Sequence, residues 1–193
     1  LREGLMFHDG EPVRAQDCAA SLARWAQRDT FGQTLAAAVD SFGVADDKTI
    51  LIKLKRPFGQ LLNAIAKPHS RPAMMMPERL ANTEATKQIT EVIGSGPYRF
   101  LPDEYVSGDR VAYERFANYV PRDGKPEWTS GGKVAHFDRL EWTVIPDAAT
   151  ATAALQSGEV DWVESVLPDL IPLLRDSEDV SVMRRDPLGL VAV

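Results

Sequence analysis

The chain has 193 residues, 44% of them hydrophobic and 26% charged, a composition that excludes both disorder and a membrane-spanning protein. Its formal charge is −6 and its 22 basic residues are scattered rather than striped, which gives no footprint for nucleic acid. A single cysteine, Cys18, rules out an intrachain disulfide and a thiolate metal cage.

Residues 1–24 read as strand, turn and helix. Leu1, Leu5 and Phe7 suit a short extended segment, and Asp9-Gly10 is a turn dipeptide in which glycine takes positive φ. Pro12 keeps a helix from starting early. From Ala15 the apolar residues Ala15, Cys18, Leu22 and Trp25 line one face of a helix, and Gln16, Asp17, Arg24 and Gln27 line the opposite one.

The pattern breaks at residues 29–32, and a loop or short helix leads to a strand at 39–44. Asp46-Asp47 supplies a turn, and the alternation of Ile50, Ile52 and Leu54 predicts the second arm of a hairpin over 49–55. Phe58, Leu61, Leu62 and Ile65 mark a short amphipathic helix. Residues 67–77, with three prolines and three consecutive methionines, cannot be one regular element. A helical turn follows at 77–81, then a polar surface stretch at 83–92.

Residues 93–98, Ile-Gly-Ser-Gly-Pro-Tyr, are the sharpest break and predict a subdomain boundary. Strands are expected at 98–101, 109–115 and 138–145, with a long surface loop at 118–133. Asp147 is placed to cap an alanine-rich helix at 148–156 that Gly158 stops. A strand at 160–163, a helix at 168–175 and a strand at 180–184 complete a β-α-β-α-β order, which predicts parallel pairing. The chain opens without methionine and closes in the apolar run 188–193, so it reads as an internal piece of a longer protein.

The sequence holds no catalytic constellation. His8, His69 and His136 lie far apart, outside any metal-ligand spacing, and read as structural. Gly94-Ser95-Gly96 is not in the register of a nucleophile elbow. Residues 129–133 end like a phosphate loop, yet Val134 stands where Ser or Thr is required. No cofactor and no metal are expected, and the balance moves toward binding.

The opening segment, with Phe7-His8-Asp9-Gly10, Pro12-Val13, Asp17, Ser21 and Arg24, resembles the signature region of the extracytoplasmic solute-binding proteins of ABC importers. The match is to family 5, the peptide, dipeptide and nickel-binding cluster. Residues 93–98 resemble its I-G-T-G-P-Y turn, Asn118-Tyr119 its N-x-x-Y loop, and residues 154–161 its A-L-x-S-G-E-V-D segment. Four motifs fall in the family's order across nearly the whole chain.

The resemblance implies a mixed α/β fold, an incomplete type II periplasmic-binding-protein lobe with an accessory subdomain. Residues 1–92 would be that subdomain, 93–185 part of the main sheet of the first lobe, and 186–193 the start of a hinge strand toward a second lobe. The implied function is capture of oligopeptides or dipeptides in the periplasm, or outside a membrane to which the protein is lipid-anchored, and delivery to an ABC permease. A nickel complex, opine or other small solute is the alternative, and an enzyme or regulatory domain on the same fold a remote one. By resemblance the cleft would be lined by Trp162, Glu164, Phe31 and Gly32, with His69 and Arg71 from the proline-methionine segment and Leu188 and Leu190 at the hinge. The competing roles are a core position for Trp162 and solvated surface for Glu164, His69 and Arg71. Gly94, Gly96, His8, Asp9 and Gly10 read as architecture.

Overall fold

A computed structural model describes residues 1–67, 70–127 and 130–183. They form two compact units: the first takes Leu1–Tyr105 and Val111–Glu141, the second Val106–Arg110 and the described residues from Trp142 onward.

The first unit is built on helix α1, Ala15–Arg28. Its N-terminus is held from two sides: the Arg14 N–H donates to Asp17 Oδ2 at 2.8 Å, and the Ala15 N–H donates to the Asp47 carbonyl at 2.7 Å. The chain enters it through the expected turn, where Met6 bridges Pro12 and Gly10 sits at φ +90°. The predicted apolar stripe is buried, with Ala15 at 0%, Cys18 and Leu22 at 3% and Trp25 at 8% exposure. Against it pack a short helix α2, Thr30–Ala36, and an antiparallel hairpin of β1, Val39–Asp46, and β2, Thr49–Leu54. Helix α3, Leu61–Ile65, supplies Ala64. Leu22, Trp25, Ala26, Leu35, Val39 and Ala64 make one cluster, and burying Leu22 and Leu35 contributes about 1.5–3 kcal/mol each.

The opposite face of α1 is not a simple solvent face. Asp17 Oδ1 accepts the Glu78 N–H at 2.7 Å, Ser21 Oγ accepts the Met76 N–H at 3.0 Å, and Arg24 donates to the carbonyls of Thr83 and Lys87. These bonds strap residues 76–87, including helix α4, Glu78–Ala81, along the polar side of α1. The physical reason is accounting: a segment with little regular structure must place its backbone polar groups somewhere, and α1 offers side-chain partners.

The second sheet has the order β3-β4-β5, with β3 at Tyr98–Phe100, β4 at Arg110–Arg115 and β5 at Arg139–Thr143. Tyr98 faces Arg115 and Phe100 faces Tyr113, so β3 and β4 are antiparallel. The Arg115 N–H donates to the Asp138 carbonyl and the Val144 N–H to the Asp109 carbonyl, so rising numbers on β4 meet falling numbers along β5. Every strand pair among the described residues is antiparallel, which corrects the expected parallel pairing.

In the second unit, helix α5 spans Ala148–Gln156. The Asp147 carboxylate caps it, accepting the Thr150 N–H at 2.8 Å, and the Thr150 bonds hold that carboxyl below the usual carboxylate range. Gly158, at φ +74°, ends it as expected. A 3₁₀ turn at Pro168–Leu170 runs into helix α6, Ile171–Arg175, whose Leu174 is buried. The strand expected at 160–163 does not form, nor does one at 180–183; Arg184 lies outside the described residues. Both segments have strand-like composition, but no neighbouring strand hydrogen bonds to them, and a strand exists only as part of a ladder.

Candidate functional site

The C-terminal turn of α1, Trp25 to Arg28, and the adjoining Asp29 form the junction on which several of the sequence-predicted residues converge. Asp29 is 4% exposed. Its carboxylate caps α2 by accepting the Gly32 N–H at 2.8 Å and pairs with the Lys67 ammonium. Burial opposes ionisation of this carboxyl, but the bonds from Lys67 and Gly32 and the Lys67 charge outweigh it, so the group stays below the usual carboxylate range.

Phe31 is half-buried, packed on the core cluster and edge-on to Phe58 with centroids 6.4 Å apart. Gly32 is buried, and its role is steric: a Cβ there would lie 2.9 Å from the Ala26 Cα and 3.3 Å from Trp25 Cε3. Only a glycine lets α2 turn this tightly against α1.

Arg71 reaches the same junction from the proline-methionine segment. Its carbonyl accepts the Trp25 indole N–H at 2.7 Å, and its Nη1 donates to the Arg28 carbonyl at 3.0 Å. Ser70 and Arg71 both hold positive φ, 52° and 63°, a conformation that costs a non-glycine residue about 1–2 kcal/mol. The Trp25 and Arg28 bonds hold Arg71 in it. Met74 is 66% exposed, whereas Met75 packs on the core.

Trp162 and Glu164 belong to the second unit and are both exposed, Trp162 at 70%. Among the described residues Trp162 therefore stands outside the buried core. Without a strand at 160–163, the two-residue spacing no longer sets both side chains on one side. His69, Leu188 and Leu190 lie outside the described residues.

His8 is part of the framework. The Gly94 N–H donates to its Nδ1 at 3.3 Å, its Nε2 lies 3.0 Å from the Gly96 carbonyl, and its ring stands edge-on to Phe116. His136 is exposed. Among the described residues no three His, Cys, Asp or Glu side chains gather to hold a metal ion. No helix among them is long and apolar enough to cross a membrane.

Two open grooves of about 200 and 330 Å³ share Arg115, Phe116 and Ala117, and none of the sequence-predicted site residues lines either. What sequence reasoning missed is the junction itself. Asp29 and Lys67 are 38 residues apart, and no local pattern joins them. The one signal was Asp29 three residues before Gly32, an N-cap spacing.

The chain is 39% identical over 192 residues to a probable peptide ABC transporter periplasmic-binding protein of Sinorhizobium fredii, covering 98% of this chain and 36% of that one. Among solved structures it resembles the oligopeptide-binding protein AppA of Bacillus subtilis in complex with a nonapeptide. The identity is 25% at TM-score 0.60, over 83% of this chain and 30% of that one. NikA of Brucella suis, in complex with Fe(III)-EDTA, shares the fold at TM-score 0.70 and 24% identity, over 91% and 34%. The chain thus spans about a third of the length of these proteins. Residues 1–192 match the middle model of the bacterial extracellular solute-binding proteins, family 5, and the chain belongs to that family.

Proposed function

We propose that this chain is the middle part of the solute-binding component of an ABC importer. In this reading the whole protein captures oligopeptides or dipeptides in the periplasm and hands them to permease subunits in the membrane. The observation that carries the reading is the 39% identity, over nearly the whole chain, to a relative named for peptide transport. Residues 1–92 serve as the accessory subdomain, 93–185 as part of the first lobe's sheet, and 186–193 as the approach to the hinge.

In the first unit, Phe31 and Arg71, set at the end of α1, are the residues that face the solute; in the second unit, taken by itself, Trp162 and Glu164 are exposed and available to it. An exposed indole offers a large apolar face at low conformational cost, and a carboxylate suits a peptide amine. Closure of two lobes then buries the peptide, and the permease distinguishes the closed form. Calorimetry on the full-length protein with short peptides, nickel chelates, opines and sugars tests this. Saturable heat with peptides is expected; binding of chelates or opines alone would replace the peptide reading. Residues 1–193 alone should bind weakly, because one wall leaves most of a ligand wet.

A further inference from the structure

The Asp29–Lys67 pair joins two parts of the chain that share no secondary structure, the start of α2 and the segment leading to Arg71. Both partners are shielded, with side-chain exposures of 5% and 18%. Asp29 accepts backbone N–H bonds from Gly32 and Phe31, so its carboxylate fixes the very residues that present the Phe31 ring. Lys67 stands at the end of α3, four residues before Arg71, whose carbonyl and guanidinium are fastened to Trp25 and Arg28. One junction therefore holds two segments by side-chain bonds, the first turn of α2 and the stretch around Arg71. A buried carboxylate without its partner is strongly unfavourable, so the pair favours one mutual placement over others.

We propose that Asp29 and Lys67 are a positioning pair, which sets the first turn of α2, with Phe31, and the stretch around Arg71 in the mutual placement that a bound peptide meets. The inference rests on the reading that Phe31 and Arg71 face the solute. Neither Asp29 nor Lys67 touches the solute in it; both act through the segments they hold. The pair is a specificity device in this sense, because removing it leaves every contacting side chain present but no longer held in register.

The test uses the full-length protein carrying Lys67→Met, Lys67→Arg or Asp29→Asn, with Phe31→Ala and Arg71→Ala as references. Amide hydrogen exchange without ligand should rise about tenfold over residues 30–36 and 70–76 in Lys67→Met, with α1 unchanged. Lys67→Arg keeps the charge and should restore protection. Capture of a random tripeptide-to-pentapeptide pool should fall about tenfold in Lys67→Met and Asp29→Asn and recover in Lys67→Arg. Unchanged exchange in the two segments, or an equal rise in α1, overturns the positioning role. Should Phe31→Ala and Arg71→Ala leave capture intact while protection of the two segments still depends on Lys67, the cleft assignment fails and the pair stands as a purely structural link.

Discussion

His8 and Gly94 are 86 residues apart, yet the imidazole of one holds the backbone of the other. The Gly94 N–H donates to Nδ1 while the His8 N–H donates to the Gly94 carbonyl at 2.9 Å. Nε2 then reaches the Gly96 carbonyl. A Cβ on Gly94 would lie 3.3 Å from the ring, so the glycine lets the imidazole sit directly on the turn. Two of the four segments that carry the family resemblance are thus one physical unit.

This arrangement needs a neutral imidazole, with Nδ1 free to accept and Nε2–H donating. Burial lowers the His8 pKa, helped by nearby Arg99 and opposed by the Gly96 carbonyl and Asp9. The unfolded chain, with histidine near its ordinary value of about 6.5, therefore binds more protons than the native state once pH falls to that range. Stability should be full above that value and decline as pH drops through it toward the lower native one. Urea midpoints of the full-length protein across this window should show the slope, and His8→Gln should flatten it at a cost of about 1–3 kcal/mol at neutral pH. An unchanged slope in the variant would remove His8 as its source.

Gly32→Ala should destabilise the junction by about 1–3 kcal/mol, because the new methyl meets backbone at Ala26 and the Trp25 ring at once. Neither neighbour is the tip of a flexible side chain that could swing away. A chemical-denaturation curve within about 0.3 kcal/mol of wild type would contradict the close packing.

Trp162→Ala separates cleft contact from stability. An indole 70% exposed contributes little to folding, so the unfolding midpoint should move by no more than about 0.5 kcal/mol. Peptide affinity measured by calorimetry should nevertheless drop, by about tenfold or more if the ring packs on the solute. Unaltered affinity would take Trp162 out of the cleft.

Local signals in the sequence were readable where local chemistry decides the structure. The stripe from Ala15 to Trp25, the Asp147 cap and the Gly158 stop each form as their spacing indicated. So does the hairpin around Asp46 and Lys48, where the Asp46 carboxylate accepts the Lys48 N–H. Residues 160–163 failed the same reading because β-propensity marks a surface that fits a sheet, and the sheet must be there. The parallel order failed with it, because of the strands at 138–145, 160–163 and 180–183 only the first forms among the described residues. At the candidate site, Phe31, Gly32 and Arg71 entered as cleft residues by resemblance alone. Their convergence on one turn of α1 was not, since it depends on Asp29, Lys67, Trp25 and Arg28 across separations of 38 to 46 residues.

Helix α1 grips its neighbour by the main chain. Trp25 binds the carbonyl of Arg71, Ser21 the amide of Met76, Asp17 the amide of Glu78, and Arg24 the carbonyls of Thr83 and Lys87. A peptide carbonyl is the same group whichever residue carries it. Much of the information that routes residues 71–87 is therefore written on the helix, and the exposed positions of the routed segment, such as Met74, can change their side chains while it keeps its path. Such a division lets a chain vary the outer surface of this segment without redesigning the support behind it.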